Sequence, residues 1–232
     1  MIEKTSFETF IYISKNKYQI FVYDKNKYIN LYDNELLIND EIALSNLDQL
    51  SNFLDENIYK IEKKVNNFIK SVIVIIEDDN ILNTSISLKK KNYDKQINQK
   101  YLKSNLIEIK DLFKENYQDQ IIMHMILVNK DEKEYLSKNI DINQDHLFLE
   151  VSFISLSNNI TIFFDKLFEN HQIKISKYMS AKYIKSFINK ETSELSMMAN
   201  KLKNGHNQNE VIIVSKNIEN KGLFEKFFQL FS

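Results

Sequence analysis

Between residues 120 and 175 the apolar and polar positions change period twice. In Ile121-Ile122-Met123-His124-Met125-Ile126-Leu127-Val128 both alternating faces are apolar apart from His124. Further on, Leu147, Leu149, Val151 and Phe153 face one way and Glu150 and Ser152 the other, as in a strand with a core on one side and water on the other. Ile160, Phe163, Phe164, Leu167 and Phe168 then fall at helical spacing, with Asn158 or Asn159 placed to cap the first turn. This pattern predicts two paired strands with a helix on their apolar face.

The flanking segments extend the same grammar. Residues 9–14, 18–24 and 28–38 alternate and predict a three-strand meander, with the polar turn Asp24-Lys25-Asn26-Lys27 between the last two. Ser45 and Asp48 start a long helix carrying Leu47, Leu50, Leu54, Ile58, Ile61, Val65 and Phe68. Val72-Ile73-Val74-Ile75-Ile76 is a β-branched run suited to a strand covered on both faces. Residues 84–88 predict a strand and residues 97–113 a helix with Leu102, Leu106, Ile109 and Phe113 as its stripe. A long helix is expected over residues 181–202, ended by Asn204-Gly205. Residues 211–214 suit a short strand, and residues 215–221 a linker.

Composition narrows the chemistry. Proline, cysteine, tryptophan and arginine are absent, all 31 basic residues are lysine, and glycine occurs only at Gly205 and Gly222. Two isolated glycines cannot build a phosphate-cradling loop, and a chain without cysteine has neither disulfides nor thiolate metal sites. The net charge of −1 gives no global attraction to nucleic acid. Glu77-Asp78-Asp79 reads as a solvated turn rather than a magnesium site, and Lys89-Lys90-Lys91 as a solvated run rather than a nucleic-acid or lipid patch. The four histidines share no helical pairing, and His124 reads as a hydrogen-bonded core residue. No secretory signal and no membrane-spanning run is expected. No catalytic, metal or cofactor residue is assigned, and an enzyme reading lacks a polar constellation to carry it.

The sharpest functional pattern is at the carboxyl end. Leu223, Phe224, Phe227, Phe228, Leu230 and Phe231 fill one face of a helical wheel, while Lys226, Glu225 and Gln229 fill the other, with Lys221 just ahead. This stretch reads as an interfacial membrane helix, the alternative being a helix docked on the protein's own core. Each phenylalanine gains roughly 1.5–3 kcal/mol only when fully buried. One such tail is therefore a marginal anchor, most effective in an oligomer.

The order of elements resembles the bacterial cell-division protein FtsA. Three strands, a crossing helix and the buried strand at residues 72–76 are similar to the first half of its actin-like ATPase domain. Residues His124-Met125-Ile126, the strand at 147–153, the helix at 160–170 and Gln172-Ile173-Lys174-Ile175 resemble the SHS2 domain inserted there, entered as in that family through Ser85-Ile86-Ser87. The resemblance departs at the first phosphate loop, where the acidic residue becomes Tyr12, the glycine Ser14 and the hydroxyl residue Lys15, and only Lys17 fits. The second phosphate loop and the entire second half of the ATPase, with its FtsZ-contacting region, have no counterpart.

The resemblance implies a mixed α+β (α/β) fold: half of an actin-like, ribonuclease-H-like domain (residues 1–83), an SHS2-like module (84–177), a long returning helix (178–204), a linker (205–221) and an amphipathic tail (222–232). It implies a non-enzymatic cell-division adaptor that contacts division proteins or itself through the module, binds no nucleotide or nucleic acid, and sits peripherally on the cytoplasmic face of the inner membrane. The pilus protein PilM, also actin-like with an SHS2-like insertion, is the alternative of the same class.

Overall fold

Chain order is β1 (Phe7–Ile13), β2 (Lys17–Asp24), β3 (Ile29–Leu37), α1 (Leu47–Val65), β4 (Ser71–Ile76), β5 (Leu82–Lys91), α2 (Gln99–Asn116) and β6 (Gln120–Leu127). It continues with β7 (His146–Ser157), α3 (Asn158–Asn170), β8 (Lys174–Ser180), α4 (Ala181–Lys185) and α5 (Leu195–Lys203). These come from a computed structural model that describes residues 6–38, 47–91, 99–128, 146–188 and 194–212. The chain divides into two units, Met1–Ile81 with Leu156–Asn204, and Leu82–Ser155 with Gly205–Ser232.

The first unit is built on a five-stranded sheet in the order β3-β2-β1-β4-β8. β1, β2 and β3 form an antiparallel meander, whereas β4 runs parallel to β1 and β8 parallel to β4. Val72, Ile73, Val74, Ile75 and Ile76 are all buried, which is why that strand carries no alternation. α1 packs over β2 and β3 through Leu50, Phe53, Leu54 and Ile61. The same face also buries Asn57, whose Oδ1 accepts from Tyr32 Oη at 2.6 Å and Asn34 Nδ2 at 2.7 Å, so the polar group is satisfied inside the core.

Phe68 does not extend the α1 stripe. The helix stops at Val65, Asn66 turns into the left-handed region (φ 51°), and Phe68 is left 74% exposed. The long helix expected over residues 181–202 is instead two helices. Its apolar stripe is interrupted between Ile188 and Leu195 by the polar run Asn189-Lys190-Glu191-Thr192-Ser193-Glu194, and α4 ends at Lys185. Asn204 is the C-cap of α5, and Gly205 follows with φ +84°, a conformation glycine adopts without strain. The capping residue Ser45 lies outside the described residues.

The second unit is a three-stranded sheet in the order β5-β7-β6 covered by α2. Ile109 and Phe113 of α2 pack against Leu147, Leu149, Val151 and Phe153 of β7 and Met125 and Leu127 of β6. The Phe113 and Phe153 rings stack with centroids 4.5 Å apart. Here the structure corrects the 84–177 module boundary. The helix on this sheet is α2, not α3, and β8 pairs with β4 in the other sheet. β7 continues past Phe153 to Ser157, and its last two residues already belong to the first unit, so α3 begins there.

α3 differs from its predicted face in two details. Its N-cap is Ser157, which makes no side-chain capping bond, rather than Asn158 or Asn159. Thr161, Phe164, Leu167 and Phe168 are its buried residues, while Phe163 is 50% exposed.

Candidate functional site

Parallel pairing of β1 with β4 brings their carboxyl ends side by side, with Tyr12 opposite Ile75 and Ile13 opposite Ile76. Glu77 N donates to Ile13 O at 2.9 Å, which continues the pairing one residue past β4. β8 lies on the other side of β4 with Ser180 opposite Ile76, and Ser180 Oγ then caps α4 by accepting from Tyr183 N. That cap starts the short helix whose last residue, Lys185, reaches back to the strand ends.

A polar network results. Tyr12 Oη donates to Glu77 Oε2. Lys185 Nζ donates to both Glu77 oxygens, at 2.8 and 2.7 Å, and lies 5.4 Å from the centroid of the Tyr12 ring. Lys17 Nζ is also 5.4 Å from that centroid and pairs with Glu35 at 3.1 Å, while Lys15 pairs with Asp79. Burial works to raise the Glu77 pKa, but the bonds from Lys185 and Tyr12 outweigh it and hold the carboxyl below its ordinary value. Burial works to lower the Lys185 pKa and is likewise outweighed, here by the Glu77 carboxylate, so the ammonium is held above its usual range. The Tyr12 hydroxyl is pushed up by burial and by its bond to Glu77.

The residues that the sequence resemblance aligns with a first phosphate loop lie at this end of the sheet, and they lack the features of one. The turn Ser14-Lys15-Asn16-Lys17 contains no glycine to admit a phosphate against the backbone. Ser14 N donates to Lys17 O at 3.0 Å, and Ser14 Oγ is within bonding distance of Asn16 Oδ1 and Lys17 O, so the groups that would meet an anion are turned inward. Glu77 adds a negative charge at the same place and neutralises Lys185. Among the described residues no group of three His, Asp or Glu is placed to hold a metal ion.

The second notable arrangement lies in the other unit. His124 Nδ1 is 2.8 Å from Glu210 Oε1, and both side chains are almost wholly buried. Glu210 forms an antiparallel bridge with Ile126, flanked by Leu127 N donating to Asn209 O at 2.8 Å and Val211 N donating to Met125 O at 2.7 Å. Residues 209–211 therefore close the edge of β6, and the expected linker at 205–221 is fastened along its first part.

Of the residues singled out from sequence, Leu223, Phe224, Phe227, Phe228, Leu230, Phe231, Lys221 and Lys226 lie outside the described residues. Lys89, Lys90 and Lys91 end β5, where Lys90 bonds Glu108 of α2. Sequence reasoning passed over Lys185 and Glu210, because each meets its partner only through the topology. Among the described residues no helix is long and apolar enough to cross a membrane.

No protein-family model matches the chain, and no curated protein matches it. Among solved structures, a chain described as "PilM-PilN type IV pilus biogenesis complex" aligns with a TM-score of 0.50 at 7% identity, covering 76% of this chain and 48% of its own length. The cytoplasmic domain of EpsL, an inner membrane component of the type II secretion system of Vibrio cholerae, aligns at 0.37 and 9% identity over 77% of this chain and 57% of its own. A Bacteroides thetaiotaomicron protein with an actin-like ATPase fold aligns at 0.33 and 15% identity over 81% of this chain and 58% of its own. The last two scores are too low to carry an argument, and this chain spans about half the length of the first. The fold is mixed α+β and has the character of a partial actin-like domain with a three-stranded unit set into it.

Proposed function

We propose that the chain is a non-catalytic adaptor of the PilM kind, serving the assembly of a pilus or secretion machine rather than turning over a nucleotide. One observation carries this reading: Tyr12, Glu77 and Lys185 satisfy one another at the strand ends, beside the residues that the sequence resemblance aligns with a phosphate loop. The fold likeness to the PilM–PilN complex supports the same class. The unit built on β5, β6, β7 and α2 is the SHS2-like partner-binding module of this proposal, and the amphipathic residues 223–231 hold the protein peripherally at the inner membrane face. Titration calorimetry with MgATP is the first test. No saturable heat is expected, and stoichiometric binding accompanied by phosphate release removes the non-catalytic reading.

A second reading, an FtsA-like division adaptor, is favoured by the amphipathic pattern from Leu223 to Phe231. A fluorescent fusion of the full chain separates the two. Rings at the division plane support the FtsA-like reading, and foci that coincide with a pilus or secretion apparatus support the PilM-like one.

A further inference from the structure

α5 meets the sheet of the first unit through a polar row. Glu8 of β1 stands opposite Tyr23 of β2, and Tyr23 opposite Asn30 of β3, so the three side chains share one face of the sheet. The helix touches the row at both ends. Ser196 Oγ donates to Asn30 Oδ1 at 2.7 Å, and Lys203 Nζ donates to Glu8 Oε1. From Ser196 to Lys203 is two helical turns, about 10 Å. Two strand spacings are about 9.6 Å, so α5 spans the row from β3 to β1. Tyr23 and Ser196 are fully buried. Glu8 Oε2, Tyr23 Oη and Asn30 Nδ2 are shielded from solvent, and among the described residues none of the three atoms has a hydrogen-bonding partner.

We infer that two ordered waters complete this row, one between Asn30 and Tyr23 and one between Tyr23 and Glu8. The three unpaired atoms are of three kinds, and they stand in the order that such a chain needs. The Asn30 amide nitrogen only donates, the Tyr23 hydroxyl both donates and accepts, and the Glu8 carboxylate oxygen only accepts. Asn30 Nδ2 donates to the first water, which donates to Tyr23 Oη. Tyr23 Oη donates to the second water, which donates to Glu8 Oε2. The spacing suits one water in each gap. Neighbouring strands are about 4.8 Å apart, too far for a direct bond between side chains standing upright on the sheet, whereas two bonds through one water reach about 5.6 Å. Buried polar groups are seldom left unsatisfied, and bridging water is the usual remedy. The completed row ties α5 to three strands by directional bonds. It thereby fixes where the helix sits across them, which the buried apolar side chains of Met198, Ala199 and Leu202 do not specify by themselves. The inference does not depend on the adaptor reading.

A crystal structure of the full chain at a resolution that shows waters tests it, with oxygen-17 relaxation dispersion as the counterpart in solution. Two waters are expected within bonding distance of Tyr23 Oη, and the count of long-lived waters is expected to fall in Y23F. That variant removes the hydroxyl linking the two waters, so its thermal midpoint is expected to drop by about 2–4 °C. A dry Tyr23 Oη, or an equal count of long-lived waters in Y23F, overturns the inference. So does a Y23F variant that melts at or above the parent temperature, because removing a hydroxyl that has no partner relieves the protein rather than weakening it.

Discussion

Glu77 and Lys185 stand 108 residues apart in sequence, yet the ammonium nitrogen lies within 2.8 Å of both carboxylate oxygens. Three consecutive parallel strands, β1, β4 and β8, make the meeting possible by ending at one level. The pair places a carboxylate and an ammonium together at that sheet end, where each neutralises the other.

The strength and pH dependence of this pair can be measured. Both side chains are about half exposed, so solvent screening limits their coupling to about 1 kcal/mol or less in a double-mutant cycle of E77Q and K185M. The Glu77 pKa is lowered from 4.5, so its contribution is present above pH 4.5 and is lost as pH falls through the folded value. The Lys185 pKa is raised from 10.5, so its contribution is present below pH 10.5 and is lost as pH rises through its folded value. Denaturant melts should give a coupling that is flat through neutral pH and vanishes in acid. Coupling that falls away on the alkaline side of pH 4.5 contradicts the assignment, because a lowered carboxylate pKa keeps the pair charged there.

His124 and Glu210 are a different case, because both are buried. E210A leaves a buried imidazole without that carboxylate and is expected to cost about 1–3 kcal/mol, in the range for removing one partner of a buried hydrogen bond. Hydrogen exchange should show the loss locally, at the amides of Leu127 and Val211, which hold residues 209–211 on β6. Unchanged protection at both amides would mean that the backbone bonds hold the segment unaided.

Neighbouring phenylalanines on α3 give a sharp contrast. Phe164 is 2% exposed, so F164A is expected to cost about 3–5 kcal/mol. Phe163 is half exposed, so F163A should stay within about 0.5 kcal/mol of the parent. Equal losses in urea melts would restore the helix face that periodicity alone assigns.

Asn57 should behave as a core residue despite its polarity. N57A removes the acceptor of Tyr32 Oη and Asn34 Nδ2 and is expected to cost about 1–3 kcal/mol. Thermal melts of N57A and of N57A/Y32F show whether the unsatisfied hydroxyl accounts for part of it, since the double variant should recover some of the loss.

Local pattern carried the elements further than their assembly. Val72 to Ile76 declared a strand buried on both faces because no polar residue breaks the run. The stripes of α2 and α3 are each good amphipathic faces, and nothing in their spacing says which sheet either one covers. α3 was assigned to the strand that precedes it, whereas the pairing of β8 with β4 takes it into the other unit. Phe68 and the break after Lys185 were legible in principle, the first from Asn66 as a residue that tolerates positive φ and the second from six polar residues in a row. Lys185 and Glu210 were not legible, because each is one lysine or glutamate among many until the fold supplies its partner.

The clasp of residues 209–211 on β6 also has a mechanical meaning. A load arriving along the chain at Ile212 meets the hydrogen bonds of Asn209 and Val211 and the contact between Glu210 and His124. Such a load is delivered to the edge strand of the three-stranded sheet rather than to its helix.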